Sequence, residues 1–96
     1  MGQLKVNYRK EARDRDCQIR APGCNFNRET TVLAHLNGGG MGTKRDDRIA
    51  AWSCSHCHDL VDGRNNKQGF TRAERENFLF WGIVRTQEVL ISEGKL

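Results

Sequence analysis

The sequence predicts the α+β class: a small domain in which two short strands and a helix are pinned by zinc and followed by a long C-terminal helix. Three observations lead there. The chain has 96 residues, 36% hydrophobic and 29% charged, enough for one domain but not for a deep core. Domains of this size usually need a staple, either disulfides or a metal. Four cysteines are spaced as two pairs, Cys17 with Cys24 and Cys54 with Cys57. The last part of the chain carries one long helical pattern behind a clear start signal. We therefore read 1–96 as a single domain, with its core over 12–62 and a C-terminal helix over about 71–93.

From the N-terminus, the charged segment over 4–15 predicts a short helix around Tyr8 to Arg13. CQIRAPGC, from Cys17 to Cys24, holds the only proline, and Pro22-Gly23 is a turn signal. Thr30, Thr31, Val32 and Leu33 are mostly β-branched and predict a strand that leads into Ala34 and His35. NGGGMG, from Asn37 to Gly42, is too glycine-rich for regular structure and predicts a loop. Arg48 to Ser53 reads as the second strand. Cys54 to Cys57 reads as a knuckle, a short helix follows through Val61, and Gly63 to Gly69 is a polar loop.

The C-terminal helix is the clearest element. Thr71 and Glu74 form a capping box, and Gly94 is a stop signal. Phe80, Ile83, Val84 and Ile91 recur at helical spacing, flanked by Leu79, Trp81 and Leu90, and predict the core-facing stripe. Phe78 and Val89 fall on the opposite side, where a second copy could pack, so a homodimer through this helix is the expectation for self-association.

No apolar leader follows Met1, and no stretch approaches the ~18 apolar residues of a membrane span. A cytoplasmic location is expected. In a reducing compartment, cysteines in pairs favour four thiolates on one structural zinc over two disulfides or unrelated buried thiols. The spacings are C-x6-C and C-x2-C. The first is wider than usual for zinc, and the Pro-Gly turn inside it supplies the route back.

The net charge is +4, with 16 Lys and Arg spread through the chain. That balance suits a polyanionic partner such as nucleic acid, solubility alone being the plainer explanation. Lys44 and Arg45 follow the glycine loop and are candidate phosphate contacts; Arg9, Lys10, Arg13 and Arg15 could extend the basic footprint.

Three histidines remain, and four sulfurs leave zinc no need of them. His35 ends the first strand beside the glycine loop, where a rigid element presents it to a gap. His58 opens the short helix, and Asp62 lies four residues on, so both share one helix face and could hold one divalent ion. His56, inside the knuckle, is expected to point to solvent.

LAHL around His35, KRDDR around Asp46 and Asp47, and CSHCH from Cys54 to His58, in this order, resemble the HNH endonuclease superfamily. Within it, CQIRAPGC, TVLAHL, GGMGTKRDD and CSHCH are similar to a small group of lambdoid phage and prophage nucleases. The resemblance implies a ββα-metal (HNH-like) fold and metal-dependent hydrolysis of DNA phosphodiester bonds. It implies His35 as general base and His58 as metal ligand, with Mg²⁺ or another divalent ion as the catalytic cofactor. Asp47 matches the middle position, with Asp46 beside it as the alternative. Many members carry Asp or His immediately before the base; here that residue is Ala34. CxxCH also occurs at c-type haem sites, but the upstream cysteine pair would then be unexplained. The other functional class consistent with these residues is a non-catalytic zinc module that binds DNA or a protein.

Overall fold

A computed structural model describes residues 6–36 and 46–96. The expected glycine loop from Asn37 to Gly42, and Lys44 and Arg45, lie outside the described residues. The order of elements is helix α1 (Tyr8–Glu11), a 3-10 turn (Arg28–Thr30), strand β1 (Val32–His35), strand β2 (Ala50–Ser53), helix α2 (Ser55–Asp62) and helix α3 (Arg72–Ser92). The α+β class and the long C-terminal helix are as expected. The strands form one antiparallel pair, with Leu33 opposite Trp52 and His35 opposite Ala50.

Both strands are shorter than the sequence suggests. Arg28–Thr30 forms the 3-10 turn because Asn27 caps it, its side chain accepting from the Glu29 N–H. The strand therefore begins at Val32 rather than Thr30. Asp46 accepts bonds from the Arg48 backbone and guanidinium, which keeps Arg48 in a turn and starts β2 at Ala50.

Helix α2 starts inside the cysteine knuckle rather than after it. Cys54 is the N-cap, and its sulfur accepts from the Cys57 N–H at 3.4 Å. Gly63 ends the helix at φ +81°, a conformation that glycine adopts without strain. Helix α3 has the expected capping box. The Glu74 N–H donates to the Thr71 hydroxyl at 3.1 Å, and the Thr71 N–H donates to the Glu74 carboxylate at 2.7 Å.

The face that α3 buries differs from the expected stripe. Leu79, Gly82, Ile83, Thr86 and Leu90 are buried, whereas Phe80, Trp81 and Ile91 are 56%, 48% and 59% exposed. Phe78 and Val89, expected on the outer side, are partly buried against the core. The cause is the closeness of α3 to β2. At Gly82 an added Cβ would lie 2.7 Å from Ile19 Cγ1 and 3.1 Å from Ala51 Cβ. One turn on, Thr86 accepts the Trp52 backbone N–H at 3.0 Å. The contact line is thus centred on a glycine and a threonine, with the bulky residues to either side.

The core joins the four cysteines to Ile19, Ala21, Ala34, Ala51, Leu60, Leu79 and Ile83. The segment through Gln18 is strapped across β2 and α3: the Gln18 N–H donates to the Trp52 carbonyl, and Arg85 donates to the Gln18 and Ile19 carbonyls. A second cluster holds Ala12, Trp52 and Leu90, and the Arg15 guanidinium lies 4.5 Å from the Trp52 ring centre. The segment from Tyr8 to Arg15 is clasped to the residues after α3: the Tyr8 hydroxyl donates to the Lys95 carbonyl, Arg15 donates twice to Glu93, and Lys95 bridges Glu11 and Glu93.

Candidate active site and metal centre

Four cysteines from two distant segments converge. Cys17 and Cys24 come from the turn-containing loop before β1; Cys54 and Cys57 come from the start of α2. All four are buried, and their sulfurs lie within 4.8 Å of one another. Cys24 and Cys54 sulfurs are 3.6 Å apart, far beyond the ~2.05 Å of a disulfide. Bonds of about 2.3 Å to a tetrahedral zinc would put neighbouring sulfurs about 3.8 Å apart, so the cluster has the size of such a site. The donors fit a metal ion, with zinc the ion such a set suits.

The electrostatics point the same way. The Cys17 thiol is held low, to about 4, by the Cys57 thiol that bonds to it and by nearby backbone N–H groups. Burial pushes Cys24 up to about 11, and the neighbouring Cys17 sulfur and burial push Cys57 up. Cys17 takes the negative charge, and Cys24 and Cys57 resist it. Two thiolates 3.6 Å apart would repel by about 5 kcal/mol at an effective dielectric of ~20. A cation among the sulfurs would offset that repulsion.

The knuckle is reinforced from outside by His56. Its Nε2 lies 3.2 Å from the Pro22 carbonyl, which also accepts from Gln68, so His56 braces the Pro-Gly turn instead of pointing freely to solvent. Gly23 sits at φ +90° under that ring, where a Cβ would come within 2.6 Å of Nε2.

The opposite side of α2 faces a groove of about 690 Å³, lined by Arg9, Arg13, Thr31, Val32, Leu33, His35, His58, Asp62 and Arg64. Three of the sequence-predicted residues, His35, His58 and Asp62, thus line one groove. His35 Nε2 is 2.6 Å from Asp47 Oδ1. Of the two adjacent aspartates, Asp47 is therefore the one that reaches His35, whereas the Asp46 carboxylate is taken by Arg48. The His35 bond holds the Asp47 carboxyl below the usual carboxylate range, and Arg9, 3.4 Å away, adds to this against the effect of burial.

On α2, His58 Nε2 and Asp62 Oδ2 are 3.8 Å apart, as the four-residue spacing implies. Two donors about 2.1 Å from one ion stand roughly 3.0–3.4 Å apart, so a slight closing of this pair admits a divalent ion. Ala34 is 1% exposed in the core and contributes no donor. Arg64 in the groove was not anticipated. It follows the Gly63 cap, and no spacing rule ties a residue beyond a helix end to that helix's face.

These features define a class: a small α+β domain with a cluster of four cysteines that could hold a metal ion behind one helix and a histidine-lined groove before it. The chain belongs to the YbcO family, whose model, described as "Putative nuclease YbcO", matches residues 6–95. It is 44% identical over 95 residues to "Putative nuclease YbcO" of Escherichia coli K12, covering 93% of this chain and 95% of that protein. The same figures hold for "Putative nuclease ybcO" of Enterobacteria phage 82. A solved structure described as that of a putative bacteriophage protein from Escherichia coli K-12 MG1655 matches with a TM-score of 0.77 and 39% identity. That match covers 92% of this chain and all of the other. The family name points to a hydrolase acting on nucleic acid, and among the described residues no helix is long and apolar enough to cross a membrane.

Proposed function

We propose that the groove is the active site of a metal-dependent endonuclease of the HNH (ββα-metal) type that hydrolyses DNA phosphodiester bonds. The observation that carries this reading is the 2.6 Å contact between His35 Nε2 and Asp47, in a groove shared with His58 and Asp62. A carboxylate on Nε2 favours the tautomer that carries its proton there and leaves the Nδ1 lone pair open. Nδ1 takes the proton of a water whose oxygen attacks phosphorus; the bond to the 3′ oxygen breaks, and that oxygen takes the electron pair and a proton from solvent water. Asp47 fixes the ring and stabilises the imidazolium that results. His58 and Asp62 would hold Mg²⁺ or another divalent ion. When bound, that ion neutralises charge developing on the phosphate and the leaving oxygen. Cys17, Cys24, Cys54 and Cys57 would hold a structural zinc, which fixes the start of α2 and so the direction of His58.

Incubation of purified protein with supercoiled plasmid and a panel of divalent ions tests the proposal. Nicked or linear product is expected with Mg²⁺ or Mn²⁺, and His35→Ala should remove it while the circular dichroism spectrum stays unchanged. Equal cleavage by the variant would reject His35 as the base.

A further inference from the structure

We propose that Arg9, Arg13 and Arg64 form a clamp for the sugar-phosphate backbone of duplex DNA, with Arg9 and Arg64 acting as latches that exchange a protein carboxylate for a phosphate. The proposal rests on the nuclease reading of the same groove. Three of the nine residues that line the groove are arginines. They come from two sides: Arg9 and Arg13 from α1 and the turn after it, Arg64 from just beyond α2.

Two of them end parallel chains of contacts. Arg9 reaches Asp47 at 3.4 Å, and Asp47 holds His35. Arg64 reaches Asp62 at 3.6 Å, and Asp62 lies 3.8 Å from His58. Each histidine in the groove therefore has an aspartate beside it and an arginine beyond the aspartate.

The arginine contacts are loose. A well-formed guanidinium–carboxylate bond runs about 2.7–2.9 Å. Arg15 meets Glu93 at 2.7 Å with its side chain 25% exposed, whereas Arg9 and Arg64 are 67% and 69% exposed. Most of their donors stay available, and a guanidinium fork matches the paired oxygens of a phosphate in a bidentate geometry that neither contact reaches. Arg13 makes no ion pair among the described residues.

The arrangement also answers an electrostatic difficulty. Asp47 and Asp62 would repel an incoming phosphodiester, and an arginine beside each removes that repulsion before the substrate arrives. A groove of about 690 Å³ with guanidinium groups from two sides exceeds what a single phosphate needs and suits consecutive phosphates of one strand.

Fluorescence anisotropy with a labelled DNA duplex, without added divalent ion, tests this over a range of NaCl concentrations. Each of Arg9→Gln, Arg13→Gln and Arg64→Gln should weaken binding roughly five- to twenty-fold at intermediate salt, whatever the DNA sequence. Each should also lower the slope of log K against log [salt] by about 0.9, the loss of one phosphate contact. Arg72→Gln, on an exposed turn of α3 and paired with Glu76, serves as the control and should leave the slope unchanged. Melting temperatures should match the parent within about 2 °C, since exposed pairs contribute little stability. Unchanged slopes in the groove variants, or no duplex binding by the parent, would overturn the clamp. Plasmid cleavage that depends on His35 but survives all three substitutions would overturn it too, and leave the nuclease reading standing. Lost binding with no cleavage in any metal would keep the clamp and reject the nuclease reading.

Discussion

Helix α2 has two sides built to opposite rules. Cys54 and Cys57 point into the core and are fully buried, whereas His58 and Asp62 keep 27% and 22% of their side chains open to the groove. The sulfur side gathers four buried donors within 4.8 Å of one another, which could hold a metal ion, so its chemistry is directed inward. The histidine side sets an aspartate beside each histidine and leaves space in front, so its chemistry is directed outward. Cys57 and His58 are adjacent in sequence, and one helical step of about 100° separates the two environments. A rigid anchor on one side is what gives the other a defined direction.

The sharpest way to break this contrast is to remove the anchor. Cys57→Ser, or a strong chelator, should collapse cooperative unfolding and take groove function with it, because metal binding at such sites contributes on the order of 10 kcal/mol to folding. Circular dichroism melting beside metal analysis checks this, with about one zinc per chain expected in the parent. An unchanged melt in chelator would mean that the sulfurs are passive. On the other side, His35→Ala should lower cleavage by roughly 10²–10⁴-fold, the range for a lost general base, with little change in melting. A variant that loses activity by unfolding would show the two sides are less separable than the geometry suggests.

The same contrast explains what could be read from the sequence. Cysteine pairing is a matter of composition and spacing, and Cys17, Cys24, Cys54 and Cys57 meet as expected. His58 and Asp62 follow from helix periodicity once the helix is placed. The approach of Asp47 to His35 depends on how residues on either side of the undescribed segment come together, so the sequence leaves Asp46 as the alternative, and Arg48 occupies Asp46 in the structure. The buried face of α3 departs from the helical stripe for a different reason. Hydrophobic periodicity assumes that large apolar residues mark the contact line, but where a helix comes very close to a strand, small residues mark it instead. Gly82 and Thr86 carry that line, and bulky Phe80 and Ile91 are displaced to the surface.

Gly82→Ala tests that account. The added methyl gains roughly 1 kcal/mol of helix propensity. It must also push α3 from Ile19 and Ala51, both already within 3.1 Å of the new atom. Overpacking of this kind costs about 1–3 kcal/mol, so a net loss of up to roughly 2 kcal/mol is expected by urea denaturation. Ile19 lies two residues from Cys17, so the shift should also be felt at the sulfur side before it reaches His35. A stabilised variant would mean that the helix can move outward freely.

The smallest effect concerns the clasp between the Tyr8 to Arg15 segment and the residues after α3, remote from both sides of α2. Arg15 and Lys95 hold the Glu93 carboxyl down to about 2, and Lys95 and Arg15 lower Glu11. A carboxyl whose folded pKa lies below its unfolded value adds stability that is complete above the unfolded value, near 4.5, and fades as pH falls toward 2. With a metal held by the four cysteines, acid would also protonate its thiolates, so the parent's melting curve would mix two losses. Glu93→Gln separates them. It should lower the melting temperature by only a few degrees at neutral pH and by progressively less from pH 4.5 down, since the parent loses the same contact there. The thiolate loss is common to both proteins and cancels in the difference. A difference that stays constant down to pH 2 would place the acid sensitivity of the fold entirely with the sulfurs.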